Sequence, residues 1–462
     1  MRTAKSRGGR YALQVTSFHR RAARGARTRR ERSGAPPHAV AHHQRGTAFR
    51  FADVQRSGRS ALVAFFAVLG PGLLAGLSDD DPAGITTYSM LGADFGYRLL
   101  WIIPASTILL IQFHLMAVRI GAATGQGFVG IIRQRWGHGA GYAAVTGLLA
   151  ANFGTICAEY AGISAAGGLI GIPSWISAPL AGILISLVVV LGSFHRVERV
   201  LLVISSTLTL YIVDGFLAGP DWSAVMHSSV IPRMPETPAG WVAVAATLGT
   251  TLAPWGLAFI QSYAVDKKIT MDKLRLARID VIIGSVLTGV IGLAIAVACA
   301  ATLNAAGVHI ENAGDAALAL RPLAGRFATV LFGAGLLGAS LLAAAIVPIA
   351  TAYSIAEGVG EPASLDLDSH HFQWFYAAFI GLTVAAVSIV SLPDLPLIPL
   401  IYSSQVVNAV VLPLHVVALQ LLSSDRALMG ASRSTRWVRA GGWISITLIL
   451  ACIGALGWSW LR

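Results

Sequence analysis

The chain reads as an all-α integral membrane protein of eleven spanning helices, ten of them in two inverted repeats of five, with helices 1 and 6 broken near their middles. Three observations predict this. Across 462 residues, 55% are apolar and only 12% charged, with a mean hydropathy of +0.68, the proportions of a polytopic membrane chain rather than of a soluble globule. Eleven apolar runs are long enough for a bilayer core of about 30 Å, which takes roughly 20 helical residues. Two runs carry helix breakers where a span should continue: Ser78-Asp79-Asp80-Asp81-Pro82-Ala83-Gly84 in the first and Ala253-Pro254-Trp255-Gly256 in the sixth.

Residues 1–60 carry fifteen Lys/Arg against Glu31 and Asp53, leaving 19 basic and 20 acidic residues in the rest of the chain. The formal charge of +12 therefore belongs to this tail. It has too few apolar residues to bury anything and is expected to be disordered. It also lacks the apolar stretch of a secretory signal. A start site placed upstream, a cytoplasmic arm on anionic lipid and an Arg-rich nucleic-acid segment are the alternatives for it. No aromatic residue interleaves the run from Arg20 to Arg32, so no nucleic-acid partner is expected.

The membrane domain, 61–462, follows. Its spans are expected near 61–96, 99–121, 142–170, 175–194, 199–218, 241–265, 279–303, 327–352, 372–392, 397–422 and 440–460. The first competes with a reading in which 61–78 crosses alone and the aspartates sit at the far interface. A loop with Pro220, Pro232, Pro235 and Pro238 separates repeat one (about 61–218) from repeat two (about 241–422), and the eleventh span, about 440–460, stands outside both. With the tail inside, the inner segments collect 29 Lys/Arg and the outer ones five, namely Arg98, Arg233, Arg321, Arg326 and Arg462. That bias predicts a multi-pass protein of the cell's inner (plasma) membrane with its N-terminus cytoplasmic. Cys157, Cys299 and Cys452 lie far apart in apolar runs and read as packing residues.

Helices broken at corresponding places in two halves mark a secondary transporter, because unwound backbone at membrane depth is tolerated only where it lines a cavity. Asp79, Asp80 and Asp81 would point about 100° apart on an intact helix. Pro82 removes a backbone donor and pushes Asp81 out of helical geometry, freeing carbonyls near Ser78. A carboxylate at the bilayer centre costs about 2.5–3.5 kcal/mol on insertion scales, so three need a cation, water or both; the alternative is a solvated helix end. At the second break the Ala253 carbonyl and its neighbours are the ligands on offer, with a kinked but continuous helix as the alternative. No Met, Cys or His stands nearby, and oxygen-only sites suit Mg²⁺, Ca²⁺ or Mn²⁺. Glu159, deep in the third span, is costly unless partnered. His114 and His415 read first as packing residues; Gln405 and Asn408 either face the site or join helices. Asp214 lies near a span end.

Gly70-Pro71-Gly72-Leu73-Leu74 followed by Asp81-Pro82, then Phe95-Gly96-Tyr97-Arg98-Leu99-Leu100-Trp101, Arg119-Ile120-Gly121, Ala158-Glu159-Tyr160-Ala161-Gly162 and Ser404-Gln405-Val406 resemble the Nramp divalent-metal transporters. The resemblance runs from about residue 61 to 430 and implies a LeuT-type fold. The departures are specific. The family's Asp-Pro-Gly-Asn is here Asp81-Pro82-Ala83-Gly84, its Met-Pro-His-Asn is Ala253-Pro254-Trp255-Gly256, and the acidic residue before its Glu is Ile156. This combination resembles the Nramp-related magnesium transporters, which implies a wider site without proton coupling. The expectation is a transporter, not an enzyme, that imports hydrated Mg²⁺, and also Mn²⁺, on the membrane potential. Asp81 would be the central anion, Asp80 and Asp79 outer acceptors, and the Ala253 carbonyl opposite. Ser78, Gly84, Trp255 and Gly256 would shape the pocket, with Glu159 and Gln405 placed by the motif match. Beyond the carried ion no cofactor is expected, and beyond ion and lipid no partner, the protein being a monomer. The alternative is a proton-coupled Mn²⁺/Fe²⁺ symporter of the main Nramp type.

Overall fold

The computed structural model describes residues 81–190, 209–360 and 373–461. All fall in the unit Val68–Arg462; the tail expected at 1–60 lies outside them. Among the described residues the helices, in order, are α1 (Pro82–Phe95), α2 (Ile102–Thr124), α3 (Phe128–Trp136), α4 (His138–Gly168), α5 (Ser174–Val190), α6 (Leu210–Leu217), α7 (Trp222–Val230), α8 (Pro238–Thr251), α9 (Pro254–Asp266), α10 (Leu274–Cys299), α11 (Ala328–Val359), α12 (Gln373–Val390), α13 (Leu397–Ser424) and α14 (Arg436–Trp460), with shorter turns between them. Among the described residues, seven spans, one of them α8 and α9 taken together, are long and apolar enough to cross a membrane, and Ser174–Val190 and Phe375–Val390 are shorter apolar helices. On α14, Trp437 and Trp458 are both exposed. They stand roughly 30 Å apart along the axis, the spacing of two interfacial aromatic belts.

Helix pairing follows the repeat. The first helix of one half meets the first of the other (α1 with α8), the second meets the second (α2 with α10), the third the third (α4 with α11) and the fourth the fourth (α5 with α12). Contacts between like members are what an internal two-fold relation produces. Two groups result: α1, α2, α8, α9 and α10 pack together, and so do α4, α5, α11 and α12, while α13 touches α4, α8, α1 and α2. The ends of α1 and α8 thus lie where the two groups and α13 converge.

The sixth span is two helices, as its proline predicts: α8 stops at Thr251 and α9 starts at Pro254. Other boundaries differ from the sequence reading. The seventh span continues into a π-helical turn, Ala300–Asn304, where Asn304 Nδ2 donates to the Ala93 carbonyl at 2.7 Å. The proline-rich loop between the halves contains α7, started by the Asp221 carboxylate, which accepts from Ser223 N and Ala224 N at 2.9 and 3.1 Å, a local N-cap within that stretch.

The helix α3 was also unpredicted, and its cap comes from far away. Glu357, near the end of α11, accepts through Oε2 from Val129 N and Gly130 N at 3.0 and 3.1 Å, and through Oε1 from Ser262 Oγ of α9 at 2.8 Å. Gln261 Nε2 of α9 donates to the Gln126 carbonyl just before α3 at 3.1 Å. A carboxylate at a helix N-terminus with three donors is worth more than a neutral contact. Glu357→Ala is expected to lower stability by about 2–3 kcal/mol, read as a fall in the thermal unfolding midpoint in detergent; an unchanged midpoint would remove this cap from the account.

Candidate functional site

Asp81 opens α1 as its N-cap. Its backbone is extended (φ −75°, ψ 176°), Pro82 holds the first helical position, and Oδ1 accepts from Gly84 N at 2.7 Å. The Asp81 carbonyl accepts from Ile85 N at 2.9 Å. The side chain is 4% exposed. Gly84, expected only to widen the pocket, therefore also supplies a backbone donor to the carboxylate. The other half of the first break, with Ser78, Asp79 and Asp80, lies outside the described residues.

Across from α1, Glu159 on α4 is fully buried, and its carboxyl approaches that of Asp81 closely enough to interact directly. No N–H or hydroxyl of another described residue reaches either Glu159 oxygen, so the Glu159 carboxyl has only that of Asp81. Two carboxyls facing one another in an apolar interior repel when both are charged, so the arrangement calls for a cation or a proton between them. Ile156, one turn earlier, is buried and apolar.

Below Glu159, the same face of α4 carries Thr155 and Asn152. Asn408 Nδ2 on α13 lies 3.0 Å from Thr155 Oγ1 and 2.9 Å from Gln405 Oε1, while Gln405 Nε2 donates to Ser404 Oγ at 2.6 Å. Both arms of the Gln405 amide are thus engaged on α13. Asn152 Nδ2 donates to Thr351 Oγ1 of α11 at 2.8 Å. The oxygens Asn152 Oδ1 and Asn408 Oδ1 are buried without a donor among the described residues, leaving acceptors in line with Glu159 that suit water or a cation.

At the second break the backbone leaves α8 at Leu252 (φ −111°, ψ 38°) and enters α9 through Ala253 (φ −51°, ψ 130°). Pro254 has no N–H, so the Thr250 carbonyl loses its donor four residues on. The Ala253 carbonyl is less free than the sequence suggested, since it accepts from Gly256 N at 3.0 Å and Leu257 N at 3.4 Å. With two N–H donors already on its oxygen, it can serve an ion only by giving up the longer contact, that from Leu257 N. Trp255 is 1% exposed, with its indole N–H lacking an acceptor among the described residues and its ring 6.1 Å from Phe259; Gly256 is buried beside it.

Among the described residues no three His, Cys, Asp or Glu side chains form a cage. Two carboxyls and a few carbonyls suit an ion that keeps part of its water. His415 packs its ring against Phe128 at 5.8 Å, and Asp214 accepts from Leu323 N at 3.1 Å. Both sit in structural contacts away from the break. Sequence reasoning passed over Tyr88, Ser106 and Thr251, whose hydroxyls meet at the end of α8; helical spacing places Tyr88 on the Asp81 face of α1, but nothing in the sequence pairs it with Thr251.

A family model described as Nramp, natural resistance-associated macrophage protein-like, matches residues 72–459. The "Divalent metal cation transporter MntH" of Deinococcus radiodurans is 28% identical over 407 residues, 85% of this chain and 90% of that protein. Among solved structures, the Eremococcus coleocola manganese transporter in complex with an aromatic bis-isothiourea substituted compound superposes with a TM-score of 0.67 at 22% identity, covering 87% of this chain and 88% of that one. MhsT in complex with L-phenylalanine superposes at 0.56 with 18% identity, covering 83% and 98%. These two likenesses establish the LeuT-type fold.

Proposed function

We propose, on the premise that this chain belongs to the Nramp family, that it is a secondary transporter importing divalent metal cations through the gap between Asp81, Glu159 and the 250–253 backbone. The observation that carries the reading is the facing pair of buried carboxyls with no basic side chain acting on either among the described residues. Such a pair is stable beside a cation and unfavourable without one. The names of the curated relative and of the first structural neighbour support a divalent metal as cargo.

Within that reading, the ligand types favour hard ions. All candidate ligands are oxygens; residues 250–257 hold no thioether, thiol or imidazole. Mg²⁺ and Mn²⁺ accept such a set, and Mg²⁺ keeps several waters, for which the donor-free oxygens of Asn152 and Asn408 are acceptors. A divalent ion moving down 100 mV gains about 4.6 kcal/mol, twice the single-charge figure, so potential suffices without a proton. The second reading, a proton-coupled Mn²⁺/Fe²⁺ symporter, draws on the same carboxyl pair, which can carry one proton in place of a metal, and on the manganese named for the structural neighbour.

Flux into proteoliposomes separates the two. The first reading expects Mg²⁺ and Mn²⁺ entry that follows an imposed potential, with no internal acidification and no effect of a protonophore at clamped potential. Mn²⁺ entry accompanied by acidification, with Mg²⁺ neither carried nor competing, would replace it by the second.

A further inference from the structure

We propose that Tyr88 is a positioning residue for the ion site: through Thr251 it holds the unwound end of α8 at a fixed distance from Asp81, and so sets the width of the pocket. The inference rests on the transport reading above for its consequence and on separate geometry for its substance. Tyr88 lies seven residues beyond Asp81 on α1, two turns on, so both face the same side of the helix. It is fully buried. Its ring fills a slot that exists because residue 292 of α10 is glycine: a Cβ there would stand 2.7–3.0 Å from ring carbons Cε2, Cζ and Cδ2.

The hydroxyl at the end of that ring is 2.9 Å from Thr251 Oγ1. Thr251 is the last residue of α8, immediately before the unwound pair Leu252-Ala253. Its hydroxyl donates to the Thr247 carbonyl at 2.8 Å and has one hydrogen, so toward Tyr88 it accepts. Ser106 Oγ of α2 approaches the same oxygen at 3.2 Å. A directed chain results, from Tyr88 through Thr251 to the Thr247 carbonyl, in which each bond polarises the next. A threonine bonded back to its i−4 carbonyl also bends its helix. The place where α8 ends is therefore fixed by α1, α2 and α10 together.

Pocket width follows. The carbonyls of 250–253 and the Asp81 carboxylate are carried on α8 and α1, and the Tyr88–Thr251 bond ties those helices at that level. Losing it relaxes the spacing of the ligands, which acts on how well an ion of given radius is held rather than on how fast the protein turns over.

The test uses the full chain with Tyr88→Phe, Thr251→Val, the double variant and Thr251→Ser. Two readouts are taken: Mn²⁺ and Mg²⁺ flux into proteoliposomes, and hydrogen exchange at the amides of residues 252–257 other than Pro254. Tyr88→Phe and Thr251→Val should each raise the half-saturating Mn²⁺ concentration about three- to tenfold at unchanged maximal flux. Each should shift the Mn²⁺/Mg²⁺ preference and speed exchange at 252–257. The double variant should be no worse than Thr251→Val, since that substitution already removes the Tyr88–Thr251 bond along with the contacts to Thr247 and Ser106, and Thr251→Ser, which keeps the hydroxyl, should stay near wild type. Additive effects, a fall in maximal flux with unchanged half-saturation and preference, or unaltered exchange in Tyr88→Phe would overturn the proposal. Wild-type protein that carries no divalent cation would instead reject the transport reading, leaving exchange to decide on Tyr88.

Discussion

Asp81→Asn is expected to abolish divalent-cation flux while leaving the protein about as stable as wild type, and Asp81→Ala to abolish flux and lower stability as well. The two roles of this side chain come apart in that pair. As an N-cap, Oδ1 accepts from Gly84 N at 2.7 Å, a role asparagine fills about as well as aspartate, whereas alanine costs about 1 kcal/mol. As the charge facing Glu159, it is irreplaceable by an amide: a buried divalent ion left with one carboxylate loses a charge-assisted contact of about 1.5–3 kcal/mol on the scale of charged hydrogen bonds, and more where water is excluded. Flux of Mn²⁺ into proteoliposomes and the unfolding midpoint in detergent read the two effects separately. Flux of the Asn variant within a few-fold of wild type would mean that Asp81 serves only to start α1.

The sequence carried the breaks because they are local. Pro82 and Pro254 act on their immediate neighbours, so residue type predicts an extended Asp81 and leaves the sixth span either divided or kinked; the observed dihedral angles show it divided. Apolar runs of spanning length give the helices for the same reason. What escaped is everything whose partner is distant. The cap of α3 comes from Glu357, more than two hundred residues on, and Tyr88 and Thr251 are separated by 163 positions. Periodicity places a hydroxyl on a face but does not say which helix meets that face. Ala253 shows the converse: a carbonyl preceding a proline reads as free, yet the first turn of α9 takes part of its capacity. The engaged amide of Gln405 is a similar case, since motif position said nothing of Asn408 and Ser404 on the same helix.

Gly249→Ala should lower the unfolding midpoint and reduce flux at least tenfold, and Gly249→Val should prevent assembly of a stable protein, because the space at this position is bounded by backbone on the facing helix. A Cβ at 249 would stand 1.9 Å from the Gln405 carbonyl oxygen and 2.8 Å from Ala409 N of α13. A side chain in the way could rotate; a main-chain carbonyl moves only with its helix. Ala245 and Ala409, both fully buried, lie in the same small-residue contact, the means by which membrane helices come close without a hydrophobic drive between them. Overpacking of this kind costs about 1–3 kcal/mol for one methyl group. It also displaces the last turn of α8, and with it Thr250, Thr251 and the unwound pair, so activity suffers beyond the stability loss. Gly381→Ala on α12 is the control: nothing lies within 4 Å of a Cβ there, and replacing glycine by alanine in a helix interior favours the helix by up to about 1 kcal/mol. Loss of flux and midpoint at 249 with neither at 381 would tie the effect to the α8–α13 contact. Equal tolerance at both positions would mean that the two backbones do not approach as described.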